Sequence, residues 1–175
     1  VRGLNRNVGG LLTTGYSYRD RYMIDATVKT SASNVFGTNN KWAIFWSIGT
    51  AWNLHNEEWM KRDWLKQFKI RASLGSSGNQ NFTTNNTIAT YEYQTDYYDD
   101  FTGAVAENME NPSMGWEQKF DYNLGLDLRT KRVSLNVDAY IADTRNLVFS
   151  QAIVPSTGFK SVQENLGRVR NKGVE

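Results

Sequence analysis

The sequence predicts an all-β fold, an antiparallel transmembrane β-barrel segment with long extracellular loops, and three observations carry that prediction. Apolar and polar residues alternate over long stretches, clearest in 117–142. A strand sends successive side chains to opposite faces, so each stretch has one apolar and one polar side. These stretches are also long: soluble strands usually run about 5–6 residues, whereas a tilted membrane-crossing strand needs about 9–11. Finally, short connections alternate with long ones, the asymmetry of outer-membrane barrels with short periplasmic turns and long external loops.

Taken in order, Leu11–Tyr18 and Tyr22–Lys29 form a hairpin over Arg19–Asp20, with Tyr22, Ile24, Ala26 and Val28 on one face. Residues 30–40, rich in Ser, Asn, Thr and Gly, have turn chemistry. Trp42–Trp52 is the next strand, with Trp42, Ile44, Trp46, Ile48 and Trp52 on one side; Phe45 breaks the polar pattern opposite. In 53–67, Asn56 followed by Glu57 and Glu58 predicts a capped short helix with Trp59, Met60 and Trp64 on its apolar side. Alternation resumes at Phe68, Ile70, Ala72 and Leu74, and 75–80 then reads as a loop.

Ile88–Gln94 predicts a strand above the rim, and 96–115 mostly loop. In the central hairpin, Phe120, Tyr122, Leu124, Leu126 and Leu128 share a face; beyond the turn at Thr130–Lys131 so do Val133, Leu135, Val137, Ala139 and Ile141. Leu147–Val154 and Ser161–Val169 read as weaker strands, 143–160 as a whole counts as a long connection, and Asn171–Lys172–Gly173 predicts a turn.

Composition excludes several function classes. The net charge of +2 gives no basic field for nucleic acid, and the absence of cysteine removes disulfides and thiol chemistry. No apolar run reaches the roughly 18–20 residues of a membrane helix, which leaves barrels untouched. Aromatic residues are frequent, and Tyr16, Tyr18, Tyr22, Trp42, Trp52, Trp64, Phe68 and Trp116 fall mostly near strand ends. That placement suits the aromatic girdles of a membrane barrel better than ordinary strand propensity.

Catalytic chemistry finds no support. The single histidine, His55, lacks a nucleophile context, no His/Cys spacing suits a metal, and Gly75–Asn79 lacks the ending of a phosphate loop. Asp25, Asp121, Asp127 and Asp138 share the interior parity with Lys69, Arg71, Lys119 and Arg129, which predicts a mutually neutralising barrel interior. The segment 91–101 has ligand-binding character: Tyr97 and Tyr98 could stack on sugar rings, while Asp99 and Asp100, with Asp96, could hold hydroxyls or calcium. Packing of these aromatics on neighbouring loops or a partner is an equal alternative.

Seven stretches resemble the SusC/RagA family of TonB-dependent outer-membrane transporters: 34–52, 57–61, 68–79 (FKIRASLGSSGN), 111–117 (NPSMGWE), 123–128, 143–148 and 157–175. Two details depart from the family pattern. Ser31, Ala32 and Ser33 stand where Asp-Gly-Ser is usual, and Trp46 follows Phe45 where proline is common. The resemblance implies that 1–175 is part of the C-terminal half of a barrel of about 22 strands, with the plug domain and TonB box elsewhere. It also implies multi-pass residence in the outer membrane of a Gram-negative bacterium. The parent would import oligosaccharides or peptides, in contact with outer-membrane lipid, the TonB complex and a SusD-like surface lipoprotein, without enzymatic activity or cofactor. A small closed structural or adhesion barrel and a soluble carbohydrate-binding β-sandwich are the alternatives that the residues alone leave open.

Overall fold

The computed structural model describes residues 6–36, 39–79, 88–98 and 101–175. Among the described residues the strands are β1 (Asn7–Tyr18), β2 (Tyr22–Ser33), β3 (Trp42–Asn53), β4 (Leu65–Asn79), β5 (Thr90–Tyr98), β6 (Phe101–Met109), β7 (Glu117–Thr130), β8 (Ser134–Ala152) and β9 (Ser161–Val174). They form one open sheet in the order β1-β2-β3-β4-β7-β8-β9-β6-β5. Every neighbouring pair is antiparallel except a short parallel contact between β6 and β9.

Register converts the sequence alternation into two continuous surfaces. Ala26, Ile48, Leu74, Tyr122 and Ile141 lie in one cross-strand row, and the row beside it runs Asp25, Gly49, Ser73, Asn123, Tyr140. No second layer covers the apolar surface among the described residues: Ile24, Ile44, Leu74, Leu124 and Leu135 are all exposed. A β-sandwich would bury those side chains against a facing sheet. An uncovered apolar surface of this extent matches the lipid-facing wall of a barrel.

The turns at the two ends have different chemistry. At the short end, the β1–β2 turn places Arg19 and Asp20 at φ 52°, the left-handed region, and Arg21 N–H donates to the Tyr18 carbonyl (2.9 Å). In the β7–β8 turn the Thr130 hydroxyl accepts from the Arg132 and Val133 amides, a side chain standing in for the backbone. These are two of the three short connections that the sequence anticipates.

Several expectations are corrected. The capped helix after Asn56 does not form; 54–56 is a single 3-10 turn, and Trp59 and Trp64 are exposed. Glu57 is drawn instead to Tyr22, Trp52 and Arg21, and so short a segment has little to offset the cost of helix nucleation. Gly75–Asn79 continues β4 rather than looping, because it pairs with 117–121 of β7. Residues 101–109, expected within a loop, form β6. The long connection over 143–160 shrinks to 153–160, since β8 runs on to Ala152. Asn171–Lys172–Gly173 is not a turn: it lies within β9, held opposite 140–142 of β8.

Candidate functional site: a polar inner wall beneath an extracellular collar

The inner wall is built by the polar parity of β2, β3, β4, β7 and β8. On β4, Arg71 stands in register with Gly125 of β7, and the missing side chain there leaves room for the guanidinium. A Cβ at Gly125 would lie 2.5 Å from Asp138 Oδ1 and 2.7 Å from Arg71 Nη2. Arg71 donates through Nε and Nη2 to Asp127 (2.9 and 3.0 Å), and Nη2 also donates to Asp138 Oδ1 (2.9 Å). One cation therefore ties β4, β7 and β8 together through a bidentate fork. Higher on the same face Lys119 pairs with Asp121 at 2.7 Å.

Asp25 projects across Gly49, where a Cβ would come within 2.6 Å of its Oδ1. Together Asp25, Lys69, Arg71, Asn123 and Asp138 border a hollow of about 270 Å3. Charges of both signs and an amide face this space, an arrangement that offers hydrogen bonds to a polar molecule without a concentrated field of one sign. The arrangement matches the neutralising interior anticipated from parity. Among the described residues no group of His, Cys, Asp and Glu side chains has the arrangement of a metal site.

Above this wall lies a small core, the place where Phe45 departs from the polar pattern. Phe36 stacks on Trp116 (ring centroids 4.2 Å apart), and Phe45 meets Trp116 edge-on at 5.5 Å. Val35 and Met114 are fully buried beside them in chain position. Trp116 is thus a core residue and not part of the aromatic girdle in which its strand-end position had placed it.

Polar bonds complete the collar. Asn40 donates through Nδ2 to the Ser113 carbonyl (2.7 Å), and the Asn165 amide both accepts from Gly115 N–H (2.8 Å) and donates to Gly115 O (3.0 Å). Asn165 Nδ2 also reaches the carbonyl of Asn146, which takes φ 58° where β8 bulges. Glu117 accepts from Asn79 Nδ2 and the Val148 amide, each at 3.0 Å. The stretches 34–36, 111–117 and 165, far apart in sequence, are therefore one structural unit.

The hairpin β5–β6 rises between β4 and β7 in sequence yet leans on the start of β9. Lys160 N–H donates to the Glu107 carbonyl (3.2 Å), and Tyr91 lies beside Phe159 with centroids 6.3 Å apart. Of the ligand-contact candidates, Tyr97 and Tyr98 lie on β5 opposite Thr102 and Phe101. Asp99 and Asp100 lie outside the described residues. Nothing in the sequence alone marks Phe36 as the partner of Trp116; the motif NPSMGWE is the one available signal.

At the short-turn end, Glu57 is buried and accepts from Tyr22 Oη (2.8 Å), Trp52 Nε1 (3.1 Å) and Arg21 Nη1 (3.2 Å). These donors, the Tyr22 hydroxyl foremost, hold its carboxyl below the ordinary carboxylate range. His55 Nδ1 lies 3.2 Å from the Phe68 carbonyl, a local structural contact.

Comparison with known proteins agrees with this architecture. Residues 7–175 match the family described as TonB dependent receptor-like, beta-barrel. The chain is 32% identical over 164 residues to TonB-dependent receptor P39 of Formosa agariphila, covering 92% of this chain and 16% of that protein. It is 28% identical over 174 residues to TonB-dependent receptor SusC of Bacteroides thetaiotaomicron, covering 91% and 17%. A solved structure of the RagAB peptide transporter superposes with a TM-score of 0.86 at 27% identity, over 97% of this chain and 19% of that one. The siderophore receptor PirA from Pseudomonas aeruginosa shares the fold at a TM-score of 0.65 and 12% identity. The chain thus spans about one-sixth of the length of the curated relatives it matches. It belongs to the TonB-dependent receptor-like β-barrel family, alongside SusC and RagA.

Proposed function

We propose that this chain is barrel wall and extracellular collar of an outer-membrane nutrient importer, driven through TonB and capped by a SusD-like surface lipoprotein. The observation that carries the reading is the two-sided sheet within a TonB-dependent receptor fold: an uncovered apolar outside against an inner wall braced by Arg71, Asp127 and Asp138. The cargo class is oligosaccharide or peptide. Its contacts on this chain are the hollow beside Asp25 and Asn123, and Tyr97 and Tyr98 at the end of β5 together with Asp99 and Asp100, which follow them in the sequence. No covalent step is involved. The likeness to the RagAB peptide transporter supports the peptide member of the pair.

Uptake of labelled oligosaccharides and labelled peptides by cells carrying the full-length receptor tests this reading. Import of one class that stops when TonB is deleted is the expected result. The double substitution Tyr97→Ala and Tyr98→Ala should weaken cargo binding while leaving the receptor folded in the membrane. Uptake that is independent of TonB would overturn the importer reading.

A further inference from the structure

The outward parity of β8 and β9 carries a second built feature. Asp143 shares its face with Phe120 and Ile141, the lipid-facing side, yet it is only 3% exposed. Arginines cover it: Arg168 donates from Nε and Nη2 (both 2.8 Å), Arg145 from Nε (2.9 Å), and Arg170 approaches at 3.4 and 3.5 Å. Lys172 follows on the same parity of β9, opposite Ile141. One carboxylate is thus shared by three arginines, with Lys172 two residues beyond Arg170 along the same strand. The next acid up β9, Glu164, stands opposite Phe149 and has no ion pair among the described residues.

Height places this cluster at a boundary. From Val133 to Asp143 the chain extends about 33 Å, and a strand tilted about 40° turns that into about 25 Å, the height of a barrel's apolar band. The cluster therefore sits where acyl chains give way to headgroups, at the end away from the short turns. Phe120, beneath the Arg145 guanidinium (5.2 Å to its ring centroid), occupies the same row as Asp143. Directly below, the apolar surface is hollowed into a groove of about 640 Å3, bordered by Leu74, Tyr122, Leu124, Ala139 and Ile141, with Lys172 at its rim. Small side chains at Ala72 and Ala139 make that depression.

We propose that this face holds a phosphorylated lipid of the outer leaflet, its phosphate on Arg170, Lys172 and their arginine neighbours and an acyl chain in the groove beneath. The guanidinium forks suit phosphate oxygens bidentately, and their charge exceeds what Asp143 neutralises. An apolar slot opening under a cationic rim matches one molecule with both parts; a free anion would use only the rim. The site lies on the opposite face of the wall from the cargo hollow and rests only on the membrane-spanning part of the importer reading.

The double substitution Arg170→Gln and Lys172→Gln tests it, because Arg168 and Arg145 remain to neutralise Asp143. The full-length receptor in detergent is titrated with lipid A and with dephosphorylated lipid A of the same acyl composition, and retention is read by native mass spectrometry. The native receptor should retain lipid A preferentially. The double variant should lose about thirtyfold, as two basic charges near an anionic group imply, and Arg170→Lys with Lys172→Arg should restore it. Equal retention of the two lipids by the native receptor, or native retention by the variant, overturns the proposal. So does inorganic phosphate displacing the lipid at equal concentration, since that marks an anion site without an acyl component. Cargo uptake by the same variant, read separately, stays at the native level if the lipid site and the importer reading are independent as argued.

Discussion

Phe36 stacks on Trp116 at 4.2 Å between ring centroids, with the planes 29° apart, and this contact joins the loop after β2 to the start of β7. Both rings are nearly inaccessible to solvent, in a chain whose other large apolar side chains mostly face outward. The contact makes the collar a core in its own right, separate from the membrane wall.

Trp116→Ala should therefore destabilise the receptor by about 3–5 kcal/mol, the usual cost of emptying a buried aromatic site. Phe36→Leu should cost less, because it keeps part of the volume. Chemical unfolding in detergent, followed by fluorescence of the remaining tryptophans, measures the difference.

Gly78 is required by the same core. A Cβ there would lie 2.1 Å from Cζ of Phe45. Gly78→Ala should destabilise the collar by about 1–3 kcal/mol through overpacking, and Phe45→Leu in the same chain should recover part of that loss. The melting temperatures of the single and double variants check the coupling.

The inner-wall bridge predicts an asymmetric set of effects. Arg71→Gln removes the cation shared by Asp127 and Asp138 and should cost about 1 kcal/mol, since the guanidinium is partly solvated. A double-mutant cycle should give stronger coupling to Asp127, bound through two nitrogens, than to Asp138. Equal coupling would contradict the geometry.

The two faces should respond oppositely to charge. Leu124→Arg places a cation in mid-bilayer and should cost about 2–4 kcal/mol of folding free energy into lipid vesicles. Asn123→Arg, one residue away on the polar face, should change stability little. Comparable losses at both positions would mean that hydrocarbon does not cover the apolar face.

Glu57 predicts an acid-sensitive anchor at the short-turn end. Its folded carboxyl titrates below its ordinary value of 4.5, with hydrogen bonds from Tyr22 and Trp52 as the leading causes. The contribution to stability is complete above 4.5 and is lost as pH falls through the lower folded value. Glu57→Gln should flatten the pH dependence of the unfolding midpoint as the pH falls below the ordinary carboxylate value of 4.5.

The amino-acid sequence alone determined the strand periodicity, the two tight turns at Arg19–Asp20 and Thr130–Lys131, and the division into polar and apolar faces. Each of these is written in neighbouring residues, because pleating gives a strand its period of two and a turn needs only a few side chains. Tertiary structure decided what depends on distant partners. Asn171–Lys172–Gly173 has turn chemistry but is extended because β8 supplies a ladder, and residues 101–109 become β6 for the same reason. Phe45, an exception within its strand, belongs with Phe36 and Trp116 only once loops separated in sequence meet. The arginines around Asp143 likewise converge only through the register of β8 on β9, since hydrogen-bonded pairing, and not local preference, sets which side chains share a row.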